Sequence, residues 1–217
     1  MLKRNIIGQD EFIKQVTVAV YRRYLLGLKS NVMVLGDSGS GKTATLKLMA
    51  QMLGLPYTIE SATEYTQSGY VGKDLDDIVN NLFFDASRRG LMPLLMSGLG
   101  IVIIDEIDKK AERDDFIGHS VSGKAVQQRL LKFIEGMDLP IQTNAGTINF
   151  STENLMVICM GAFEGLDKVR KDRKRTNGTI GFSSEEPKEE SLVSGFIEQD
   201  FIEYGLISTN LFLFIKL

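Results

Sequence analysis

The 217-residue sequence contains one cysteine, one histidine and no tryptophan. The lone Cys159 excludes an internal disulfide and a zinc site built on cysteines, and its apolar neighbours predict a small buried side chain. No apolar run approaches the ~20 residues that span a bilayer. The opening Met1-Leu2-Lys3-Arg4 is not followed by the apolar stretch of a secretory signal. We therefore expect a cytoplasmic protein with no zinc and no membrane segment.

The chain also has little net charge of either sign. The formal net charge is −3, so electrostatics give no reason to expect nucleic acid or an anionic membrane as a partner. Hydrophobic residues make up 43% and charged residues 24%, which is typical of a folded domain with one sizeable core. A basic run at residues 170–175 and an acidic run at 185–190 are interpreted as solvated loops or connectors.

Four short runs have the length and composition of strands: residues 31–35, 57–60, 101–104 and 155–160. Helical spacing of apolar positions is found at residues 9–28, 43–53, 74–89 and 125–135. Strands that alternate with helices predict βαβ units, and hence a mainly parallel sheet covered on both faces. The sequence therefore predicts a three-layer α/β domain.

The strongest motif is Gly36-Asp37-Ser38-Gly39-Ser40-Gly41-Lys42-Thr43, an intact G-x-x-x-x-G-K-T phosphate loop between a predicted strand and a predicted helix. Its glycines let backbone N–H groups converge on phosphate oxygens, and the helix adds its N-terminal partial charge. Lys42 can reach the β and γ phosphates and assist catalysis, and the Thr43 hydroxyl can bind Mg²⁺. The loop's predicted nucleotide-binding residues are Asp37, Ser38, Gly39, Ser40, Gly41, Lys42, Thr43 and Ala44.

A second motif is the apolar run 101–104 that ends in Asp105-Glu106. A buried strand would deliver these acids to the carboxyl edge of the sheet, where ligands of open α/β sheets bind. Asp105 would hold Mg²⁺ through its water shell, and Glu106 would polarise the attacking water. The pair is a weak signal alone. Downstream of an intact phosphate loop, it favours ATP hydrolysis over a kinase reaction.

A third motif is Gly69-Tyr70-Val71-Gly72, an aromatic and an aliphatic residue between glycines in a polar stretch. The tyrosine could be a turn residue that packs on its own domain, or the segment could be a loop that grips another molecule. Periodicity and spacing leave both interpretations open.

These motifs occur in one order with three further segments: Ile6-Ile7-Gly8-Gln9, Val121-Ser122-Gly123-Lys124-Ala125-Val126-Gln127-Gln128 and Gly161-Ala162-Phe163-Glu164-Gly165-Leu166-Asp167-Lys168-Val169. Together with the run Ile104-Asp105-Glu106-Ile107-Asp108-Lys109, they resemble AAA+ ATPases of the Clp type, the ClpX unfoldases in particular, and the related HslU family shares several of them. The resemblance covers about residues 5–207.

The resemblance implies the large subdomain of an AAA+ P-loop ATPase that couples ATP hydrolysis to protein unfolding. It implies that Ile7 and Gly8 cradle adenine, and that Tyr70 and Val71 form a pore loop that pulls polypeptide substrates through a ring of self-associated subunits. It also places Ser122 and Gly123 in a second pore loop.

Three departures from this family pattern carry expectations. The sequence begins near the adenine segment, so the family's zinc-binding N-terminal domain is expected to be absent. The family's Gly-Leu-Ile is followed by an arginine finger, whereas residues 208–217 contain no arginine, and loss of such a residue can cost ~10³ in rate. The lid subdomain is also expected to be missing. Residues 170–190 show no clear counterpart of the peptidase-docking loop, so the resemblance gives no support for a ClpP-type partner.

These departures lead to a division into an AAA+ domain at residues 1–207 and a divergent apolar tail at 208–217. The tail is interpreted as a product of frameshift or truncation, or as a substitute fifth strand at residues 211–215. The expected function is an impaired ATP-binding and ATP-hydrolysing module. The alternatives are a non-catalytic subunit that joins the ring of a full-length relative, and a DNA-related AAA+ motor, which the net charge disfavours.

Overall fold

A computed structural model describes residues 9–65, 73–111, 120–143, 146–177, 196–206 and 212–217. The helices are α1 (Asp10–Tyr24), α2 (Lys42–Leu53), α3 (Asp76–Arg88), α4 (Met92–Met96), α5 (Ser120–Glu135), α6 (Leu166–Asn177) and α7 (Glu198–Tyr204). The strands are β1 (Asn31–Leu35), β2 (Tyr57–Ser61), β3 (Ile101–Asp105), β4 (Asp138–Thr143), β5 (Gly146–Ser151), β6 (Met156–Gly161) and β7 (Phe212–Lys216). Two short 3-10 turns span Ala62–Glu64 and Ile107–Lys110.

Five strands form one parallel sheet in the order β2-β3-β6-β1-β7. The central strands β1 and β6 are buried at every position, as strands covered on both faces must be. One face carries a core in which α1 and α2 pack on Val32, Val34 and Ile103. The other face carries a core built with α3, α5 and α7. The predicted three-layer α/β fold is therefore confirmed.

Strand β7 occupies the edge of the sheet beside β1, with Phe214 opposite Met33 in the register. The Phe214 ring stacks on Phe201 of α7 at 4.3 Å between centroids. The Leu217 N–H donates to the Leu35 carbonyl at 2.7 Å, next to the start of the phosphate loop. The structure thus places part of the apolar tail in the sheet, whereas its origin by frameshift or truncation, and the boundary at residue 207, stay predictions.

Several elements differ from the sequence expectations. Strands β4 and β5 form an antiparallel hairpin that the sequence patterns did not predict. Helix α5 begins five residues before the predicted start, so Ser122 and Gly123 lie within a helix. The interpretation of residues 170–175 as a solvated loop was wrong, because they lie in α6, where Arg173 pairs with the buried Asp200 of α7.

Cys159 lies on β6 with no exposed surface, and burial raises the pKa of its thiol. The prediction of a small buried side chain is confirmed. Among the described residues, no helix combines the length and the apolar character needed to cross a membrane.

Candidate functional site

The phosphate loop connects β1 to α2 at the carboxyl edge of the sheet. Gly39 and Gly41 have φ angles of 77° and 86°, a region that side chains disfavour, so the loop's tight path requires glycine at both positions. A turn is closed by the Ser40 N–H, which donates to the Asp37 carbonyl at 3.2 Å. Helix α2 then begins at Lys42, and the N–H groups of its first turn have no partner within the helix. The loop therefore offers backbone donors to an anion.

Lys42 is the buried cation of this loop. Its Nζ donates to the carbonyls of Gly36 and Asp37 at 2.5 and 2.7 Å. Burial lowers the pKa of Lys42, and the carboxylates of Asp105, Asp108 and Asp37 oppose that shift. The ammonium is thus held inside the loop, beside the first turn of α2, where phosphate oxygens would meet it.

Thr43 and Asp105 bring two hard oxygen groups together. The Thr43 hydroxyl donates to Asp105 Oδ2 at 2.9 Å, across 62 positions of sequence. The other carboxylate oxygen of Asp105 accepts the Glu106 N–H at 2.8 Å, which fixes its orientation. Hydroxyl and carboxylate oxygens are the ligands that Mg²⁺ prefers, and Mg²⁺ keeps several of its own waters. The residues present therefore fit a magnesium ion at this position.

Glu106 has an unusual backbone, with φ 58° and ψ 33°. Left-handed geometry is uncommon for residues other than glycine and is found at functional sites. Its exposed side chain accepts hydrogen bonds from the Ser61 hydroxyl at 2.8 Å and the Thr63 hydroxyl at 3.5 Å. Ser61 is the last residue of β2 and lies opposite Asp105 in the register. The end of β2 and the 3-10 turn after it thus supply two hydroxyl partners that were not predicted from the sequence.

Asp108, in the 3-10 turn after Glu106, has 4% of its surface exposed. One oxygen accepts the N–H of Phe163, whose φ is also positive, and the other has no hydrogen-bond partner among the described residues. A Cβ at Gly161 would lie 2.4 Å from that second oxygen. Glycine at 161 therefore makes room for a buried carboxylate next to the end of β6.

Gln9 ties the segment before α1 to the phosphate loop. Its side-chain amide donates to the Ser40 carbonyl, and its oxygen accepts the Thr45 hydroxyl at 2.6 Å. Gln9 belongs to the motif Ile6-Ile7-Gly8-Gln9, but no role for its side chain follows from the sequence. In the chain, Gln9 directly follows Ile7 and Gly8, the residues of the predicted adenine segment.

The structure brings Thr43 of the phosphate loop into contact with Asp105 at the end of β3, with Lys42 and Glu106 as their neighbours in the chain. Ile7, Gly8, Tyr70 and Val71 lie outside the described residues, so their adenine and pore-loop roles stay predictions. The missed residues are Gln9, Ser61, Thr63 and Asp108. No local sequence signal identifies Ser61, because its position opposite Asp105 depends on the pairing of β2 with β3.

Comparison with known sequences gives a consistent result. The sequence model of the AAA domain (Cdc48 subfamily) matches residues 28–203. The ATP-dependent Clp protease ATP-binding subunit ClpX of Treponema denticola is 35% identical over 231 aligned positions, which cover 95% of this chain and 54% of the relative. The proteins of the same name from Borrelia duttonii and Azotobacter vinelandii are 36% and 34% identical, again over 95% of this chain, with 52% and 53% of their own lengths covered. The chain spans about half the length of the curated relatives it matches.

The family match runs through the phosphate loop, the Asp105-Glu106 strand end and the buried strand β6, and so includes both halves of the site described above. This match agrees with the family resemblance that was inferred from the sequence motifs. The chain belongs to the AAA domain family (Cdc48 subfamily), with the nucleotide-binding fold of an ATPase.

Proposed function

We propose that this chain binds ATP with Mg²⁺ and hydrolyses the terminal phosphate. The observation that carries the proposal is the 2.9 Å contact between the Thr43 hydroxyl and the Asp105 carboxylate, at the first turn of the helix that follows the phosphate loop. Independent motifs thus meet at one point, although they are far apart in sequence.

Different groups of the site would bind the phosphates and the metal ion. Backbone N–H groups at the start of α2 and the Lys42 ammonium would hold the β and γ phosphates. Thr43 and Asp105 would hold Mg²⁺, which when bound neutralises charge on the phosphate oxygens. Gly39 has open space where a Cβ would lie, so phosphate could approach the backbone closely there. Asp37, Ser38, Ser40, Gly41 and Ala44 complete the proposed contact set.

Glu106 would orient and polarise the attacking water. Its carboxylate is exposed and lies next to the metal-binding pair, and general-base contributions are typically ~10²–10⁴ in rate. The Ser61 hydroxyl that donates to this carboxylate competes with water for it. Release of that hydrogen bond would be a step in the reaction.

The wider function that we propose is that of an unfoldase module. It rests on the resemblance to ClpX proteins, with Tyr70 and Val71 contacting a polypeptide substrate and copies of the chain forming a ring. Turnover by the chain alone should be slow, because residues 207–217 contain no arginine to stabilise transition-state charge in a neighbouring site. A cytoplasmic location, where ATP is available, is part of this proposal, and a peptidase partner is not.

The test is ATP turnover by the purified chain across a series of protein concentrations. Glu106→Gln is the blank for hydrolysis, and Lys42→Ala is the control for nucleotide binding. We expect turnover above the blank, at a rate that rises per chain with concentration if subunits assemble. Lys42→Ala should lose nucleotide binding in calorimetry, whereas Glu106→Gln should retain it.

Two results would contradict the proposal in different ways. Equal ATP affinity in Lys42→Ala and the wild type would show that the phosphate loop is not the binding site. Binding without turnover at any concentration would refute hydrolysis and fit a non-catalytic subunit instead. Mixing with a complete unfoldase would then show whether the chain inhibits it.

A further inference from the structure

A buried carboxylate lies close to the nucleotide site without taking part in the proposed hydrolysis. Glu60 of β2 is 4% exposed. One of its oxygens accepts the Asn81 amide at 2.8 Å and the Thr58 hydroxyl, and the other accepts the Tyr65 hydroxyl at 2.7 Å. A buried charge is costly unless it has a counter-charge as well as hydrogen bonds. Lys73 supplies it, with Nζ 3.9 Å from the same oxygen that binds Tyr65.

Two of these partners flank residues 66–72, which lie outside the described residues. Tyr65 is the residue before this segment and Lys73 is the residue after it. They form a parallel bridge, in which the Lys73 N–H donates to the Glu64 carbonyl at 3.1 Å. The Lys73 ammonium also binds the Glu64 carboxylate at 2.6 Å. Both ends of the segment are therefore held to each other and to one oxygen of Glu60.

The Tyr65 hydroxyl is a dependable donor in this arrangement. Its ring is 2% exposed, and burial together with the neighbouring Glu60 carboxylate raises the pKa of the phenol. The hydroxyl thus stays protonated over the physiological range and donates a hydrogen bond to Glu60. Tyr65 contributes a packed ring and a polar anchor at once.

We call the paired residues Tyr65 and Lys73 the stem of segment 66–72. The stem and the nearby residue Ser61 contact Glu106 and the 3-10 turn that follows it. Ser61, the neighbour of Glu60 in β2, donates its hydroxyl to Glu106 at 2.8 Å. Lys110, at the end of the turn that follows Glu106, donates to the Tyr65 carbonyl at 2.9 Å. Adjacent residues of one strand therefore hold the stem of segment 66–72 and the carboxylate proposed to activate water.

We propose that Glu60 is a positioning residue that fixes both ends of segment 66–72 on β2 and couples them to the Glu106 turn. The first part rests on the contacts alone. The coupling rests on the proposed function, because it requires that nucleotide changes the environment of Glu106. Together the two parts link Tyr65 and Lys73 to the nucleotide site through β2.

Amide hydrogen exchange at Lys73 tests the anchoring. Tyr65→Phe keeps the buried ring and removes only the hydroxyl, and Glu60→Gln removes the charge. Tyr24→Phe is the matched control, since its hydroxyl also donates to a buried backbone group, the Gly100 carbonyl at 2.6 Å. Tyr24 packs against the core on one face of the sheet, whereas Tyr65 belongs to the core on the other. We expect Tyr65→Phe and Glu60→Gln to speed exchange of the Lys73 amide about 2- to 10-fold, with β1 amides unchanged relative to the control.

Equal Lys73 exchange in Tyr65→Phe and Tyr24→Phe would overturn the anchoring, and Tyr65→Phe decides alone if Glu60→Gln does not fold. The coupling is tested with ADP and Mg²⁺ at saturation, with binding measured on the same sample by calorimetry. We expect nucleotide to change Lys73 exchange in the wild type, and Ser61→Ala to reduce that change by more than half. An unchanged Lys73 amide in a sample that binds nucleotide would refute the coupling. A wild type that binds no nucleotide refutes the proposed function, and with it the coupling, while the anchoring result stands on its own.

Discussion

The ion pair between Arg173 of α6 and Asp200 of α7 is unequally buried. Asp200 has no exposed surface, whereas the Arg173 side chain is 18% exposed. The guanidinium donates to both carboxylate oxygens, from Nε at 2.7 Å and from the terminal nitrogen at 3.2 Å. The Ile197 N–H donates to Asp200 as well, at 2.9 Å. The carboxylate is therefore fully dependent on protein partners, while the guanidinium retains access to water.

This asymmetry predicts unequal costs for the two single substitutions. Asp200→Asn keeps an oxygen for the Ile197 N–H and leaves a cation that reaches solvent, so its cost should lie near the lower end of the ~3–5 kcal/mol for breaking a buried pair. Arg173→Met leaves a buried anion without a counter-charge and should lie near the upper end. At about 2–4 °C per kcal/mol for a chain of this size, Tm should fall by about 6–12 °C in Asp200→Asn and about 10–20 °C in Arg173→Met.

Urea and thermal unfolding of both single variants and the double variant measure these costs. The double variant should lose about 2–3 kcal/mol less than the two single losses combined, because each single variant already forfeits the shared interaction. Glu11→Gln is the control, since the Lys14–Glu11 pair is 72% and 68% exposed and should change stability by less than ~0.5 kcal/mol. Strictly additive losses, or a smaller loss in Arg173→Met than in Asp200→Asn, would refute this reasoning.

Three further predictions concern other positions. Gly161→Ala should lower the free energy of unfolding by about 1–3 kcal/mol, because the new methyl group would lie 2.4 Å from Asp108 Oδ1; urea denaturation measures this, and an unchanged midpoint would mean that Asp108 moves aside freely. Gln9→Ala should weaken ATP binding about 5-fold in calorimetry, since it removes the amide that supports the Ser40 carbonyl, and wild-type affinity would contradict a role for Gln9. Burial raises the pKa of Tyr24 to about 12 from 10.0, so between these pH values the folded chain keeps a proton that the unfolded chain loses. The stability advantage of the wild type over Tyr24→Phe should therefore shrink as pH rises from 10 to 12, and a constant difference in urea denaturation would argue against it.

Local sequence patterns were sufficient to predict the strands that consist of a continuous run of apolar residues. Residues 31–35 and 101–104 are continuous apolar runs, and the structure has strands at β1 and β3 within one residue of the expected bounds. The β4–β5 hairpin was missed because its burial alternates over only a few positions and Pro140 interrupts the pattern. The hairpin is stabilised by a tertiary contact, in which the Phe150 ring packs edge-on against the Phe83 ring of α3 with 5.1 Å between the ring centroids.

Helix α6 shows a different limit. Its sequence Leu-Asp-Lys-Val-Arg-Lys-Asp-Arg-Lys-Arg-Thr-Asn is rich in charge, and charge runs are typical of solvated connectors. Arg173 finds its partner 27 positions later, and Arg170 lies over the Phe196 ring at 4.6 Å. The information that makes this segment a packed helix is therefore located in another part of the chain.

In the candidate site, too, the residues that belong to local motifs could be predicted, whereas those that depend on tertiary contacts could not. Lys42, Thr43 and Asp105 could be predicted because each belongs to a motif whose chemistry is local, and parallel strands bring their carboxyl ends to one edge. Ser61 could not be predicted, because serine commonly follows strands as a turn residue with no part in catalysis. It gains meaning only from the parallel pairing of β2 with β3, which sets it opposite Asp105.

The pleat of β2 explains how neighbouring residues can serve separate tasks. Successive side chains of a strand point to opposite faces, so Glu60 enters the core toward Asn81 of α3, while Ser61 reaches Glu106. A shift of one position in the β2–β3 register would exchange these directions, placing a hydroxyl in the core and a carboxylate beside Glu106, where the two negative charges would repel. The register that buries Thr58 and Glu60 with their partners therefore also places a neutral donor against the catalytic candidate, and the stability of the core enforces the geometry of the site.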